Sequence, residues 1–520
     1  MNKKFNNKVL FVLIVFLLLA LTKIDFRFDE INPGSFVDDA EYYYHAQTIA
    51  IDRDLDYSNQ MPDTPYRNLN VEDRDKVLPV HSIGVGIFAA PFLFIANMLS
   101  SIFSLDSLIS FNYFIYSFIP VFYLYVSFIL LKKILKKNSI KVNNLFLLCL
   151  TGGSVVSFFA FERFSMTHAY EFFGTTLCLY ISNQIIYSKN KNTKNTLLFF
   201  LPVMIFVVLT IRWSNYFLIL IPLFVKQFIK KDVKLFYLEP FFLTGFLVGL
   251  SLFLLHTKIL HGIYTLNPSD IFFVVENRYS SDYYRFFDQT RIVENILFIF
   301  KTFFIINFSQ EFGLMFFSPI LFFGSSLLFI YLVKKDFLKL FIIAGIIFFP
   351  FFSTLVLNNP GYSYGYRYYY STIPMFILVY FLDFSNNKTI LRYLFYFSVL
   401  GIVFQLFFES SPYVVLSTEN LTNSFGLYTN YVNPTILSGM FKSFLIIDSY
   451  LNIIFTSFIG VFIIKVLSLF MSPLDLISNF REPDEKIIEL VEMSISFSWV
   501  MFFLVLLTYL GIARNFINKD

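Results

Sequence analysis

Cysteine, tryptophan and charge are all scarce in this chain: two Cys and two Trp in 520 residues, with 15% of positions charged. Cys149 and Cys178 both fall inside apolar runs, which excludes a disulfide framework and a cysteine-built zinc site. Neither sign of charge dominates. Forty Lys and Arg face 36 Asp and Glu, a net charge of +4, and the basic residues cluster at the ends of apolar runs. That distribution gives no footprint for nucleic acid. No internal duplication is visible either. What is abundant is apolar: 57% of residues are hydrophobic, including 74 Phe and 33 Tyr. Phe, Ile, Asn, Lys and Tyr share AT-rich codons, so base composition accounts for the aromatic excess better than a set of stacking platforms.

Repeated apolar runs near bilayer length imply an all-α polytopic membrane protein, because in lipid only helices or closed barrels satisfy the backbone. Val9 to Thr22 forms the first run, and no small-residue cleavage site follows it before Lys23, so it reads as an uncleaved signal anchor. Further runs lie near 108–131, 145–161, 169–187, 197–211, 216–229, 235–256, 313–333, 337–357, 368–383, 393–408, 447–471 and 494–513. Together they predict about 12–13 transmembrane helices. Lys3, Lys4 and Lys8 place the N-terminus in the cytoplasm by the positive-inside rule. Clusters at Lys132 to Lys141, Lys189 to Lys194, Lys226 to Lys231, Lys334-Lys335 and Lys388/Arg392 then fall on the same side.

Pro79 to Ser101 breaks that alternation. If it crossed the bilayer, the cluster Lys132 to Lys141 would land outside. The segment also carries His81, Ser82, Gly84, Gly86, Pro91 and Asn97, a poor fit to lipid on every side. It is therefore expected to be a juxtamembrane or re-entrant helix against the outer face, inside a first extracytoplasmic loop of about 23–107.

The start of that loop is dense in acid: Asp25, Asp29, Glu30, Asp38, Asp39, Glu41, Asp52, Asp54, Asp56, Asp63, Glu72, Asp73 and Asp75. The same face collects the turn Glu162 to His168, the run Arg212-Trp213-Ser214-Asn215, and the stretch Asn358 to Arg367. Ionisable groups at membrane depth are functional candidates, since each is unfavourable by a few kcal/mol unless paired or hydrated. The plainer reading of Arg212 and Arg367 is snorkelling to headgroups. Asp38 and Asp39 have a plain reading as a helix cap. Glu41 and His45, one helical turn apart, read as a salt-bridged structural pair. Asp52-Arg53-Asp54-Leu55-Asp56 could chelate a divalent ion, or form a solvated loop.

These residues carry a family resemblance. Asp38-Asp39-Ala40-Glu41-Tyr42-Tyr43-Tyr44, with Asp52 to Asn59, resembles the first extracytoplasmic loop of GT-C glycosyltransferases, close to protein O-mannosyltransferases and lipid A aminoarabinose transferases. Ile83-Gly84-Val85-Gly86 with Ala90-Pro91-Phe92 is similar to the segment following that loop. Ser165-Met166-Thr167-His168-Ala169-Tyr170, Gly313 to Pro319 and Tyr364-Gly365-Tyr366-Arg367-Tyr368 resemble further recurring patterns. The resemblance touches most of the first 375 residues. One departure is Asp38-Asp39 where the family often has Asp-Glu, which leaves open which carboxylate holds the catalytic position. It implies a GT-C-like catalytic region over 1–410. Residues 411–520 add an extracytoplasmic loop and the last two membrane helices, without a recognised role.

The implied reaction moves a sugar from a polyprenyl-phosphate carrier to an extracytoplasmic lipid, glycan or protein, with the active site on the outer face of the cell membrane. The chemistry suits the residues. A carboxylate beside a like charge is poised to take a proton from an acceptor hydroxyl, so Asp38 or Asp39 is the expected general base. Arg367 and Arg212 offer planar forks for the departing phosphate. Tyr366, Glu41, His45, His81, His168 and Glu162 complete the expected substrate-contacting set. No metal ligand set is assigned and no cofactor is required, although a divalent cation would be compatible with the acidic loop. Two alternatives stand beside this: a transporter or flippase for lipid-linked sugars, and an O-antigen-type polymerase or ligase.

Overall fold

The computed structural model describes residue 16 and residues 37–60, 79, 81–103, 111–154, 156–161, 164–230, 236–267, 299–300, 302–303, 306–307, 314–357 and 366–407. The C-terminal unit expected at 411–520 lies outside them. Among the described residues the architecture is entirely helical.

In chain order the helices are α1 (Val37–Gln47), α2 (Gly84–Phe103), α3 (Phe111–Lys137), α4 (Asn144–Gly152), α5 (Val156–Phe161), α6 (His168–Tyr187) and α7 (Lys191–Leu209). Then follow α8 (Ile221–Phe224), α9 (Pro240–His261), α10 (Leu314–Phe317), α11 (Pro319–Val333), α12 (Phe337–Leu357), α13 (Ile373–Asp383) and α14 (Lys388–Phe407). Four of them, α2, α3, α7 and α9, are long and apolar enough to cross a membrane, and three shorter apolar segments accompany them. The apolar runs that fall on described residues correspond to these helices, but four are not single α-helices. The run 313–333 is divided into α10 and α11 at Ser318, and 368–383 opens as the 3-10 stretch Arg367–Thr372. The run 145–161 is split into α4 and α5 at Gly153, whose N–H closes α4 on the Cys149 carbonyl at 2.7 Å. The run 216–229 is helical throughout but not α throughout: a 3-10 stretch Trp213–Leu220 leads through α8 into a π turn Val225–Ile229.

Helix α2 is a single unbroken helix of 20 residues with Pro91 inside it. Its length and apolarity match a span, so those two properties do not favour a juxtamembrane position. The case for one rests on the lysine clusters and on the polar and small residues His81, Ser82, Gly84, Gly86 and Asn97.

Local chemistry sets the helix ends. Asn143 accepts the Leu145 N–H at 3.0 Å and Asn190 accepts the Asn192 N–H at 2.9 Å, each capping donors left over in a first turn. Proline opens α9, α11 and α13, where its missing N–H does no harm. Helices α7 and α9 pack closely because α9 carries Gly245 and Gly249 one turn apart. A methyl on Gly245 would sit 2.1 Å from the Phe199 carbonyl oxygen, and one on Gly249 would sit 2.6 Å from the Phe206 ring. Small residues at four-residue spacing let two backbones approach where no hydrophobic force between helices exists. Helix α6 is central: it packs against α3, α5, α7 and α13 and against the 3-10 stretch Arg367–Thr372. Helix α1 packs against the start of α2.

Candidate functional site

Helix α1 buries Glu41, Tyr42, His45 and Ala46, residues on one face of a helix. A wholly buried carboxylate needs donors around it. Glu41 Oε2 accepts the His81 backbone N–H at 2.9 Å and lies 2.6 Å from His81 Nδ1. One turn on, His45 Nε2 is 2.9 Å from the His81 carbonyl oxygen and His45 Nδ1 is 2.7 Å from the Tyr57 hydroxyl. A carbonyl only accepts, so Nε2 carries the His45 proton and the Tyr57 hydroxyl donates to Nδ1. Burial pushes the His45 pKa down to about 4 and holds that ring neutral; it pushes Tyr57 well up. The expected salt bridge between Glu41 and His45 is therefore replaced. Both side chains turn to residue 81 instead of to each other, because the segment before α2 brings donors and an acceptor onto the buried face of α1.

That close approach explains the glycines of the Ile83-Gly84-Val85-Gly86 motif. A methyl on Gly86 would stand 2.6 Å from His45 Cβ, and one on Gly84 would stand 2.4 Å from the Ile211 backbone nitrogen. Gly84 N–H also donates to the Thr210 carbonyl at 2.8 Å. The start of α2 is thus clamped between α1 and the end of α7.

Immediately after that contact comes Arg212. Its Nε lies 3.3 Å from Oε1 of Glu171, a carboxylate that is fully buried and also accepts from the Thr167 hydroxyl. Arg212 Cζ stands 5.4 Å over the Tyr368 ring, and Arg367 Cζ stands 5.5 Å from the same ring. Two guanidinium groups from distant segments therefore share one aromatic ring. Nη1 of Arg212 is buried and has no hydrogen-bond partner among the described residues. Tyr42 and Arg367 are both within electrostatic reach of Arg212. The Tyr42 ring packs against the His81 ring, centroids 5.2 Å apart. Tyr42 is thus the link between the Glu41–His81 pair and the arginines.

The remaining sequence candidates fall as follows. His168 is fully buried, its ring 4.2 Å from Phe159 and 5.4 Å from Tyr370, with Nδ1 3.8 Å from Glu171 Oε1. Tyr366 is fully buried at the head of the 3-10 stretch that holds Arg367 and Tyr368. Asp38 and Asp39 stand in the first turn of α1, three residues or fewer from Glu41; their side chains lie outside the described residues, as does Glu162. In the Asp52 to Asp56 loop the carboxylates take local bonds. Asp52 accepts from Asn59 and Gln60, Asp54 from the Asp56 N–H, and Asp56 from the Ser58 N–H. Among the described residues no three His, Cys, Asp or Glu side chains converge to hold a metal ion.

Three participants were not named as site residues from sequence. Glu171 is an acid inside an apolar run, one turn after His168, and that cost alone could have marked it. Tyr57 and Tyr368 carry no such signal in a chain with 33 tyrosines.

No family model matches the chain, and no curated protein matches it. One solved structure that is similar is the Archaeoglobus fulgidus oligosaccharyltransferase in complex with Zn and sulfate, at 13% identity and a TM-score of 0.37. The match covers 82% of this chain and 53% of the other, so the chain spans about half the length of that protein. A likeness this loose assigns neither a fold family nor an activity.

Proposed function

We propose that the chain is a membrane glycosyltransferase of the GT-C type, moving a sugar from a polyprenyl-phosphate carrier to an acceptor on the extracytoplasmic side of the cell membrane. The observation that carries the reading is the linking, contact by contact, of five segments far apart in sequence. Each bears a motif of the resemblance or an out-of-place charge: α1, the segment 81–86, the Thr167–Glu171 turn, Thr210–Arg212 and Tyr366–Tyr368.

In this mechanism the acceptor oxygen attacks the anomeric carbon as the bond to the carrier phosphate breaks. The acceptor proton goes to Asp38 or Asp39, and the bonding pair leaves with the phosphate oxygen. Arg212 and Arg367 receive the charge that develops there. Preformed cationic donors at a departing phosphate are worth about 3 kcal/mol each, roughly a hundredfold in rate. Glu171 holds Arg212 in place, so the guanidinium is oriented before substrate arrives.

The test is release of free polyprenyl phosphate by the purified protein in lipid discs, given a panel of synthetic polyprenyl-phosphate sugars and membrane extract as acceptor. Release with at least one sugar, together with accumulation of that lipid-linked sugar in a deletion strain, supports the reading. Absence of both rejects it.

A further inference from the structure

We propose that Lys137 and Lys230, gathered on the ring of Tyr187, form a binding site for the headgroup phosphate of an anionic phospholipid.

Lys137 is the last residue of α3, a helix long and apolar enough to cross a membrane, and Lys230 follows the apolar helical segment Trp213–Ile229. Each ammonium therefore sits where an apolar segment ends, the depth at which a bilayer carries its headgroups. The two lysines are far apart in sequence, yet they meet on one side chain. Lys137 Nζ stands 5.1 Å from the Tyr187 ring centroid and Lys230 Nζ stands 5.8 Å from it. One turn before Lys137, Lys133 Nζ stands 5.9 Å over Tyr180, which lies two turns before Tyr187 on α6. All three lysines are exposed and open to a ligand.

The ring that gathers them is fixed to both helices. The Tyr187 hydroxyl donates to Asn138 Oδ1 at 2.8 Å. Asn138 Nδ2 in turn donates to the Ile134 carbonyl at 2.9 Å and to Oδ1 of the fully buried Asn183 at 3.0 Å. Lys137 is steadied as well, donating to Gln184 Oε1 at 3.1 Å, which uses one of its three N–H donors. The platform and one of its cations are thus positioned before a ligand arrives.

What this group lacks is a counter-charge. Among the described residues no carboxylate lies within ion-pair distance of Lys133, Lys137 or Lys230. The neighbouring lysine is treated differently. Lys339 stands 5.3 Å over Phe228, two residues before Lys230, and it is paired with Asp383 and, at 3.8 Å, with Asp336. Like charges drawn to one ring repel, and an anion that joins them removes that repulsion. A phosphodiester supplies one negative charge and oxygens that only accept, the complement of ammonium donors. A zwitterionic headgroup would bring a further cation into the cluster, so the site selects for net negative lipid.

The experiment uses the full chain in phosphatidylcholine discs with spin-labelled phosphatidylglycerol as the probe and spin-labelled phosphatidylcholine as the reference. Wild type should retain the anionic probe over the reference. Lys137→Gln and Lys230→Gln should each lower that preference about fivefold, the contribution of one lysine beside an anionic headgroup. Lys137→Arg combined with Lys230→Arg should keep it. Lys189→Gln combined with Lys191→Gln removes two exposed charges nearby in the chain and should change the preference less than about twofold. In wild type alone, phosphatidylglycerol with a photoreactive headgroup should crosslink to the segments around Lys137, Tyr187 and Lys230, a result that does not depend on how any variant folds.

Equal retention of the two lipids by wild type overturns the inference. So does an equal loss in the Lys189/Lys191 pair, which would make the preference a matter of diffuse surface charge. Displacement of the probe by inorganic phosphate at the same concentration would make this a site for a free anion, and crosslinks confined to other segments would move the lipid elsewhere; either result overturns the assignment. Sugar transfer plays no part in the measurement, so its outcome is independent of the function proposed above.

Discussion

Glu41 and His81, forty residues apart, form a pair in which one carboxylate oxygen serves both the backbone N–H and the ring Nδ1 of the same histidine. The local partner was available and was not used: His45 lies one turn along the same helix. It turns its own Nε2–H to the His81 carbonyl, so residue 81 is gripped by two neighbouring α1 side chains at once. A loop tied to a helix in this way is positioned by partly buried polar contacts to a wholly buried carboxylate.

The grip depends on backbone approach. Gly84 lies so close to Thr210 and Ile211 that a methyl group would overlap backbone atoms, which cannot rotate aside. Gly84→Ala should therefore push the start of α2 away from α7 and cost about 1–3 kcal/mol of stability. The expected result is a lower melting temperature in detergent and loss of the Glu41–His81 contact, seen as a change in His81 ring shifts. An unchanged melting temperature would mean that this contact is looser than the structure has it.

His45 makes the fold sensitive to acid. Its pKa falls from 6.5 in the unfolded chain to about 4 in the folded protein, because burial disfavours the charged ring. The unfolded state then binds the proton first. The contribution of this group is fully present above about pH 6.5, and it is lost as pH falls towards 4. A shift of this size corresponds to roughly 3 kcal/mol across the window. His45→Gln should start less stable at neutral pH, having lost the paired bonds to Tyr57 and residue 81, and should lose less on acidification. Parallel melting curves for the two proteins between about pH 6.5 and about pH 4 would contradict this assignment.

How much of this was legible in the sequence depends on the range over which each residue acts. The apolar runs gave nearly every described helix, because periodicity and length are local. The out-of-place charges Arg212 and Arg367 were legible as candidates, and they meet over Tyr368. The partner of Glu41 was not legible. Helical spacing favours His45, and only the tertiary path of residues 79–86 across α1 changes the outcome. The breaks at Gly153 and the mixed 3-10 and π geometry around 213–229 were missed for a similar reason: hydropathy registers burial, not hydrogen-bond register. For Asp38 and Asp39 the structure adds the helix they start, and their side chains fall outside the described residues.

The two arginines should respond differently to the same substitution. Arg212 is bound to the buried Glu171, so Arg212→Ala would strand a carboxylate and cost about 3–5 kcal/mol, enough to threaten folding. Arg212→Lys keeps a charge near Glu171 and should fold. Arg367 is half-buried beside Tyr368, so Arg367→Lys should fold normally. In sugar transfer, Arg367→Lys should lose about a hundredfold, since a point charge cannot replace the planar fork on a departing phosphate. Wild-type turnover in Arg367→Lys would leave only headgroup snorkelling for that residue.

Asp38 and Asp39 sit in the first turn of the helix whose next turn grips residue 81, so they enter the same region from the same element. In the proposed mechanism the proton of the acceptor hydroxyl goes to a carboxylate that is ionised yet basic. Asp38→Asn preserves size and hydrogen bonding and removes basicity. Transfer should fall by about a hundredfold or more, the range typical of a lost general base, while the melting temperature stays near wild type. Asp39→Asn separates the two carboxylates. Loss in that variant alone keeps the mechanism and moves the base by one residue. Loss in both at different magnitudes ranks them as base and neighbour. Binding of polyprenyl phosphate should be unchanged in either, because in the proposed mechanism the base acts on the acceptor and not on the carrier. Normal transfer rates in both variants would remove this end of α1 from the chemistry and leave proton acceptance without an assigned residue.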